Sequence, residues 1–255
     1  MSNIVFVTGA TSGFGKAIAE IYAKNNFKVI INGRRTERLN EIKNDLEKKY
    51  NAQIYTLPFD VRDKVAVFDA VASLPKEWKD IEILINNAGL ALGTNPVCDC
   101  DLEDWETMID TNIKGLLYVT KAVLPTLISK KSGHIVNLGS TASKECYPGG
   151  NVYCATKHSV EALTKTMRID LIKYGIRVSQ ISPGMSETEV SLVRYKGDKN
   201  AAVNVYKGVD PLTAEDIAQI AYFITVSVPK HVCIRDIIVS PQQQANSYVV
   251  CRNQE

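Results

Sequence analysis

Seven short apolar runs rich in β-branched residues recur along the chain, at 4–7, 28–32, 53–57, 81–85, 134–138, 176–181 and 236–240. Each consecutive pair is separated by a segment with helical periodicity, at 15–25, 37–49, 64–73, 102–129, 152–174 and 214–226. A strand followed by a helix and then another strand returns in the same direction, so the runs build a parallel sheet. Val5-Phe6-Val7 and Ile83-Leu84-Ile85 are apolar on both faces, which requires helices on both sides of that sheet. The expectation is one α/β domain over residues 1–255, a Rossmann-type, doubly wound, seven-stranded sheet flanked by helices; 255 residues lie within what a single core can organise. The 102–129 stretch contains Asn112 and Gly115, so a kink is expected there. Residues 184–210 are polar, glycine-punctuated and weakly periodic, which suggests a mobile flap or short helices over a pocket, and a source of substrate selectivity.

Charge narrows the range of partners. Thirty basic residues against 28 acidic ones leave a net charge of +2, too little to grip nucleic acid or an anionic membrane, and a small molecule fits better. The six cysteines have neither the spacing nor the histidine company of a metal site, so reduced thiols and no metal are expected. The opening residues already read as a strand and no apolar run is long enough to span a bilayer, which leads to the expectation of a cytoplasmic protein.

Thr8-Gly9-Ala10-Thr11-Ser12-Gly13-Phe14-Gly15 joins the first strand to the first helix. A helix N-terminus offers unpaired N–H groups and the positive end of the dipole to a pyrophosphate, and glycines let the backbone come close to it. At the end of the second strand an NAD enzyme usually carries an acidic residue for the ribose 2′-hydroxyl. Here the chain reads Asn32-Gly33-Arg34-Arg35, and two guanidinium groups suit the 2′-phosphate of NADP(H). Both arginines also fit a solvated helix start.

Tyr153 and Lys157 stand four residues apart in a helical segment, on one face. An ammonium ~4 Å from a phenolate at an effective dielectric of ~20 stabilises it by about 4 kcal/mol, or about three pKa units. The pair therefore predicts a tyrosine that titrates near neutrality and exchanges a proton with a substrate oxygen. Taken alone, the spacing equally fits a packed ring beside a snorkelling amine. Ser140 ends the fifth strand, where its hydroxyl can hold that oxygen, with Thr141 and Ser143 nearby.

The Gly-x3-Gly-x-Gly spacing, Ser140, Tyr153-x3-Lys157 and Asn112 together resemble the short-chain dehydrogenase/reductase family over the whole chain. The resemblance implies an oxidoreductase in which Ser140 polarises a carbonyl and Tyr153 protonates it. It also implies that Lys157 bonds the nicotinamide ribose and that Asn112 supports a water-linked relay. Asp60-Val61 matches the family's adenine contact, Asn86-Asn87-Ala88-Gly89 its close-approach motif, and Pro183-Gly184 its nicotinamide segment, with Thr188 the nearest threonine. Several stretches, among them Tyr147 to Tyr153 and Glu187 to Asp198, resemble NADP-dependent 3-hydroxy acid dehydrogenases that oxidise serine and allo-threonine. This implies a short anionic hydroxy acid or semialdehyde; a reductase of sulfoacetaldehyde is the close rival, and a non-catalytic NADP sensor the more distant one. An anion needs a cation, and Arg194 and Lys196 in the 184–210 segment, or Arg252 near the C-terminus of a neighbouring subunit, are the candidates, with Tyr147 beside the substrate. Relatives are usually homotetramers that pair the two long helices.

Overall fold

A computed structural model describes residues 3–253. The strands are β1 (Ile4–Val7), β2 (Lys28–Gly33), β3 (Ile54–Pro58), β4 (Ile81–Asn86), β5 (Gly133–Leu138), β6 (Ile176–Pro183) and β7 (Asp236–Val239). They form one sheet in the order β3-β2-β1-β4-β5-β6-β7, and every pairing is parallel. The strand order reverses between β1 and β4, which opens a crevice at the carboxyl ends of these strands. The helices are α1 (Gly13–Lys24), α2 (Thr36–Tyr50), α3 (Lys64–Ala72), α4 (Leu102–Ile109), α5 (Leu116–Lys130), α6 (Asn151–Leu171), α7 (Glu189–Arg194), α8 (Lys199–Asn204) and α9 (Ala214–Tyr222).

The doubly apolar strands divide their side chains by parity, as a pleat requires. Val5, Val7, Val29, Ile31, Ile83 and Ile85 pack with Ile18 and Tyr22 of α1, Leu39 of α2 and Ile217 of α9. Ile4, Phe6, Ile30 and Leu84 point the other way, against Val67 of α3 and Val119, Val123 and Leu127 of α5. Two separate cores thus clamp one sheet, and the carboxyl ends of β1 and β4 sit rigidly between them.

The 102–129 segment is interrupted at Asn112 and Gly115, as expected: α4 and α5 are joined by a π-helical stretch, Asp110–Gly115, that buries Thr111, Asn112 and Gly115. A Cβ on Gly115 would lie 2.7 Å from Val61 Cγ2, so the missing side chain lets this stretch press on the loop after β3. β7 is an edge strand with Ile238 exposed, although its sequence is as apolar as the buried strands. Residues 184–210 hold two short helices, α7 and α8, which is the second of the two expected forms. No helix among the described residues is long and apolar enough to cross a membrane.

Candidate active site

The β1–α1 turn is stitched to the segment after β4. Thr8 Oγ1 donates to Ile85 O and accepts from the N–H groups of Asn87 and Ala88, each at 3.0 Å, while Asn87 Nδ2 donates to Thr8 O at 2.8 Å. Gly9 has φ +64°, and a Cβ there would lie 2.8 Å from Ala88 Cα. A Cβ on Gly15 would lie 2.3 Å from Gly9 O. The turn can take this shape only with glycine at both positions. Thr8 and Gly15 consequently lie behind the turn, as its framework, and do not line the cavity in front of it.

That cavity has a volume of about 410 Å³. Gly9, Ser12, Gly13 and Phe14 line it at the start of α1, where a helix leaves its first N–H groups unpaired. Ser12 is the N-cap residue, yet its side chain makes no capping bond. At one end stand Arg34 and Arg35, both exposed. Arg35 Nη2 donates to Thr11 Oγ1 at 2.8 Å, and Arg34 lies 3.8 Å from Asp60. Asp60 and Val61 form the next stretch of wall. Burial works to raise the Asp60 carboxyl, but hydrogen bonds from Arg62 and the charges of Arg62 and Arg34 outweigh it and hold the pKa low. Asn87, Ala88 and Gly89 form the floor, and Pro183, Gly184 and Thr188 the opposite side. Thr188 lies directly over the turn, its Cβ 3.3 Å from where a Cβ on Gly13 would be.

Ser140, Tyr153 and Lys157 meet at the far end of the same cavity. Ser140 is hydrogen-bonded to the Tyr153 hydroxyl and accepts from Ala142 N–H at 3.1 Å. Lys157, buried, donates to Leu138 O at 2.9 Å and stands 5.8 Å from the Tyr153 ring centroid. The expectation of a tyrosine titrating near neutrality is not met. Burial pushes the Tyr153 phenol up, against the opposing pull of Ser140 and the Arg194 guanidinium, and burial brings Lys157 down to about 8. In each case the loss of the group's own hydration is the largest cause.

Asn112 stands behind the wall. Its Nδ2 donates to Leu90 O at 2.8 Å and to Thr156 Oγ1 at 3.0 Å, and its Oδ1 accepts from Leu90 N–H at 2.9 Å. Both amide hydrogens are committed, so the side chain ties the segment after β4 to α6. Among the three candidate cations, Arg194 is the one that reaches Tyr153, from beside the main cavity rather than from its lining. Its Nη1 donates to Tyr147 Oη at 2.9 Å, its Nε donates to Gly93 O, and the guanidinium lies 5.4 Å from the Tyr147 ring and 5.8 Å from that of Tyr153. Arg194 is half-buried, and no carboxylate among the described residues lies within ion-pair distance of it. Lys196 pairs with Asp104 at 2.8 Å and, together with Arg194, lines a second cavity, while Arg252 donates to the carbonyls of Val205 and Lys207 in its own chain. Burial pushes Tyr147 up to about 12.

Two contributors escaped the sequence reading. Asn32, buried in β2, donates to Leu57 O and Phe59 O and accepts from Gly9 N–H at 3.4 Å, fixing the turn from below. An amide interrupting an otherwise apolar strand was the available signal. Glu189 and Arg38 form an ion pair, and 151 positions separate them in the chain.

The sequence profile described as short chain dehydrogenase matches residues 3–198. The chain belongs to the short-chain dehydrogenase family. Among its relatives in that family, sulfoacetaldehyde reductase 2 of Chromohalobacter salexigens is 47% identical over 246 residues, 96% of each chain. The serine 3-dehydrogenase of Agrobacterium fabrum is 47% identical over 245 residues, again 96% of each. An NADP-dependent 3-hydroxy acid dehydrogenase of Escherichia coli is 46% identical over 243 residues, 95% of this chain and 96% of the other. The closed form of serine dehydrogenase complexed with NADP+ superposes with a TM-score of 0.91 at 44% identity, covering 98% of this chain and all of that one. A seven-stranded Rossmann-like domain is thus shared with a short-chain dehydrogenase of known structure.

Proposed function

We propose that this protein is an NADP(H)-dependent oxidoreductase that interconverts a short 3-hydroxy acid, of the 3-hydroxypropionate, serine or allo-threonine type, with its 3-oxo acid or semialdehyde. The observation that carries this reading is the half-buried Arg194 guanidinium, without a carboxylate partner, set against Tyr147 and Tyr153. A cation so placed suits the carboxylate of a substrate whose oxygen lies at Ser140 and Tyr153.

The residues present fit the dinucleotide. The Gly9–Gly15 turn, whose shape the close approaches at its glycines require, presents the start of α1 to the cavity, and Arg34 and Arg35, at the end of a strand that carries no acid, suit a 2′-phosphate. When bound, NADPH supplies the hydride. Ser140 holds the substrate oxygen and Tyr153 gives it a proton, its raised pKa keeping that proton in place at neutral pH. Lys157 places a positive charge behind the forming phenolate, and Asn112 holds the wall in register. Arg194 orients the anion. Six free thiols support a cytoplasmic setting, where thiols stay reduced. Exposed Leu102, Ile109 and Leu117 on α4 and α5, with Ile169 and Ile172 at the end of α6, support a homotetramer that pairs these helices.

A second reading, reduction of sulfoacetaldehyde, has the same support, because a guanidinium fork accepts a sulfonate as readily as a carboxylate and a reductase of that name is 47% identical. The test follows NADPH consumption with malonic semialdehyde, sulfoacetaldehyde and succinic semialdehyde, with NADH and Tyr153→Phe in parallel. Turnover of malonic semialdehyde that requires NADPH and falls about 10²-fold or more in Tyr153→Phe is expected. Preference for the sulfonate would move the assignment to the second reading, and silence on all three would leave a cofactor-binding sensor.

A further inference from the structure

α7 crosses the mouth of the cleft, and its two ends are tied to different parts of the molecule. At its C-terminal end Arg194 O accepts from Gly93 N–H at 3.0 Å, Arg194 reaches Tyr147, and Lys196 pairs with Asp104. At its N-terminal end the Glu189 carboxylate meets α2: Arg38 Nη2 donates to Oε1 at 2.5 Å, Arg35 Nη2 lies 3.5 Å from Oε2, and the Ser12 side chain hydrogen-bonds to the same group. These contacts are not needed to start the helix, because Thr188 already caps it by accepting from Val190 N–H.

The arginines divide by position. Arg34 and Arg35 line the cavity, whereas Arg38, one turn into α2, does not. Arg38 is therefore free for Glu189, and Arg35 stands between the place of the 2′-phosphate and the carboxylate. Five residues of helix, about 7.5 Å of rise, connect Glu189 to Arg194, so an ordered start of α7 sets where the substrate-facing guanidinium stands.

We propose that the Glu189–Arg38 ion pair is a latch that holds α7 closed over the dinucleotide cleft, making both side chains positioning residues that couple cofactor retention to the placement of Arg194. This rests on the NADP(H) reading above. Opening breaks this pair together with the weaker Arg35 and Ser12 contacts to the same carboxylate. Because each partner keeps over a third of its side chain exposed, opening the latch changes rates and binding moderately rather than abolishing them.

The test is a double-mutant cycle on the full chain, using Glu189→Gln, Arg38→Gln and the double variant, with Arg38→Lys as the conservative replacement. Stopped-flow release of NADPH and steady-state kinetics with the best substrate are measured, and thermal melts establish folding. Each single variant is expected to release NADPH about threefold to tenfold faster and to raise KM for the anionic substrate by a similar factor, with a smaller change in kcat. The double variant should be no worse than either single one, and Arg38→Lys should retain most of the wild-type behaviour. Unchanged release in the single variants, or effects that multiply in the double variant, would overturn the latch while leaving the oxidoreductase reading intact. Failure of the wild-type protein to bind NADPH would overturn both.

Discussion

Tyr153 and Lys157 show how a pair that is suggestive in sequence behaves once buried. Helical spacing brought the two to one face, but the ammonium stands 5.8 Å from the ring centroid, and desolvation governs both groups. His134 is a second buried titratable residue, at the start of β5. Its Nε2 pairs with Ser179 Oγ at 2.8 Å while Nδ1 finds no partner among the described residues, and burial, with Arg177 nearby, lowers its pKa to about 3. A folded-state pKa below the unfolded value of about 6.5 means that the unfolded chain takes up the proton first, so stability falls as pH drops from about 6.5 towards 3. The slope expected from this one group is about 1.4 kcal/mol per pH unit. Urea unfolding at pH 7 and pH 5 should therefore show a smaller loss in His134→Gln than in the wild-type protein; equal losses would exclude His134 as the responsible group.

The β1–α1 turn and the π-helical stretch are elements whose shape depends on approach distances rather than on propensity. A Cβ on Gly15 would meet Gly9 O at 2.3 Å and Asn87 Nδ2 at 2.5 Å, and main-chain atoms cannot step aside as a flexible side chain would. Gly15→Ala is expected to cost about 1–3 kcal/mol of stability and to weaken NADPH binding by more than tenfold. A thermal melt and a fluorescence titration read the two effects separately, and unchanged binding would show that the turn does not form the cofactor cradle. The spacing of glycines was legible in sequence because the motif is local. The π stretch was legible only as a disturbance at Asn112 and Gly115, since one extra residue in a turn hardly alters the apolar periodicity.

At the scale of the whole molecule, two buried cores leave apolar side chains over on the outer faces of α4, α5 and α6. Ile169 and Ile172 are each 73% exposed and Leu102 is 66% exposed. If these faces pair as the proposed tetramer requires, sedimentation at neutral pH should give a mass near four times the 28.2 kDa chain. Leu117→Glu together with Ile169→Glu should shift that mass to smaller species. A monomer in the wild-type protein that turns over at full rate would count against the assembly.

The sequence by itself determined the parallel, doubly wound sheet, because run length and two-sided apolarity leave a strand no other place to lie. It also determined that Gly9, Ser140, Tyr153 and Lys157 would stand at the carboxyl edge of that sheet, since each follows or faces a strand end. Tertiary structure alone decided which cation stands beside Tyr153: Arg194, Lys196 and Arg252 are equal as text, and only the fold gives carboxylates to Lys196 and carbonyls to Arg252. It likewise decided that Glu189 meets Arg38, that Asn32 supports the β1–α1 turn, and that burial outweighs the pull of Ser140 and Arg194 at Tyr153. These depend on distances between segments far apart in the chain, and on the loss of water around them, which local patterns of residues do not encode.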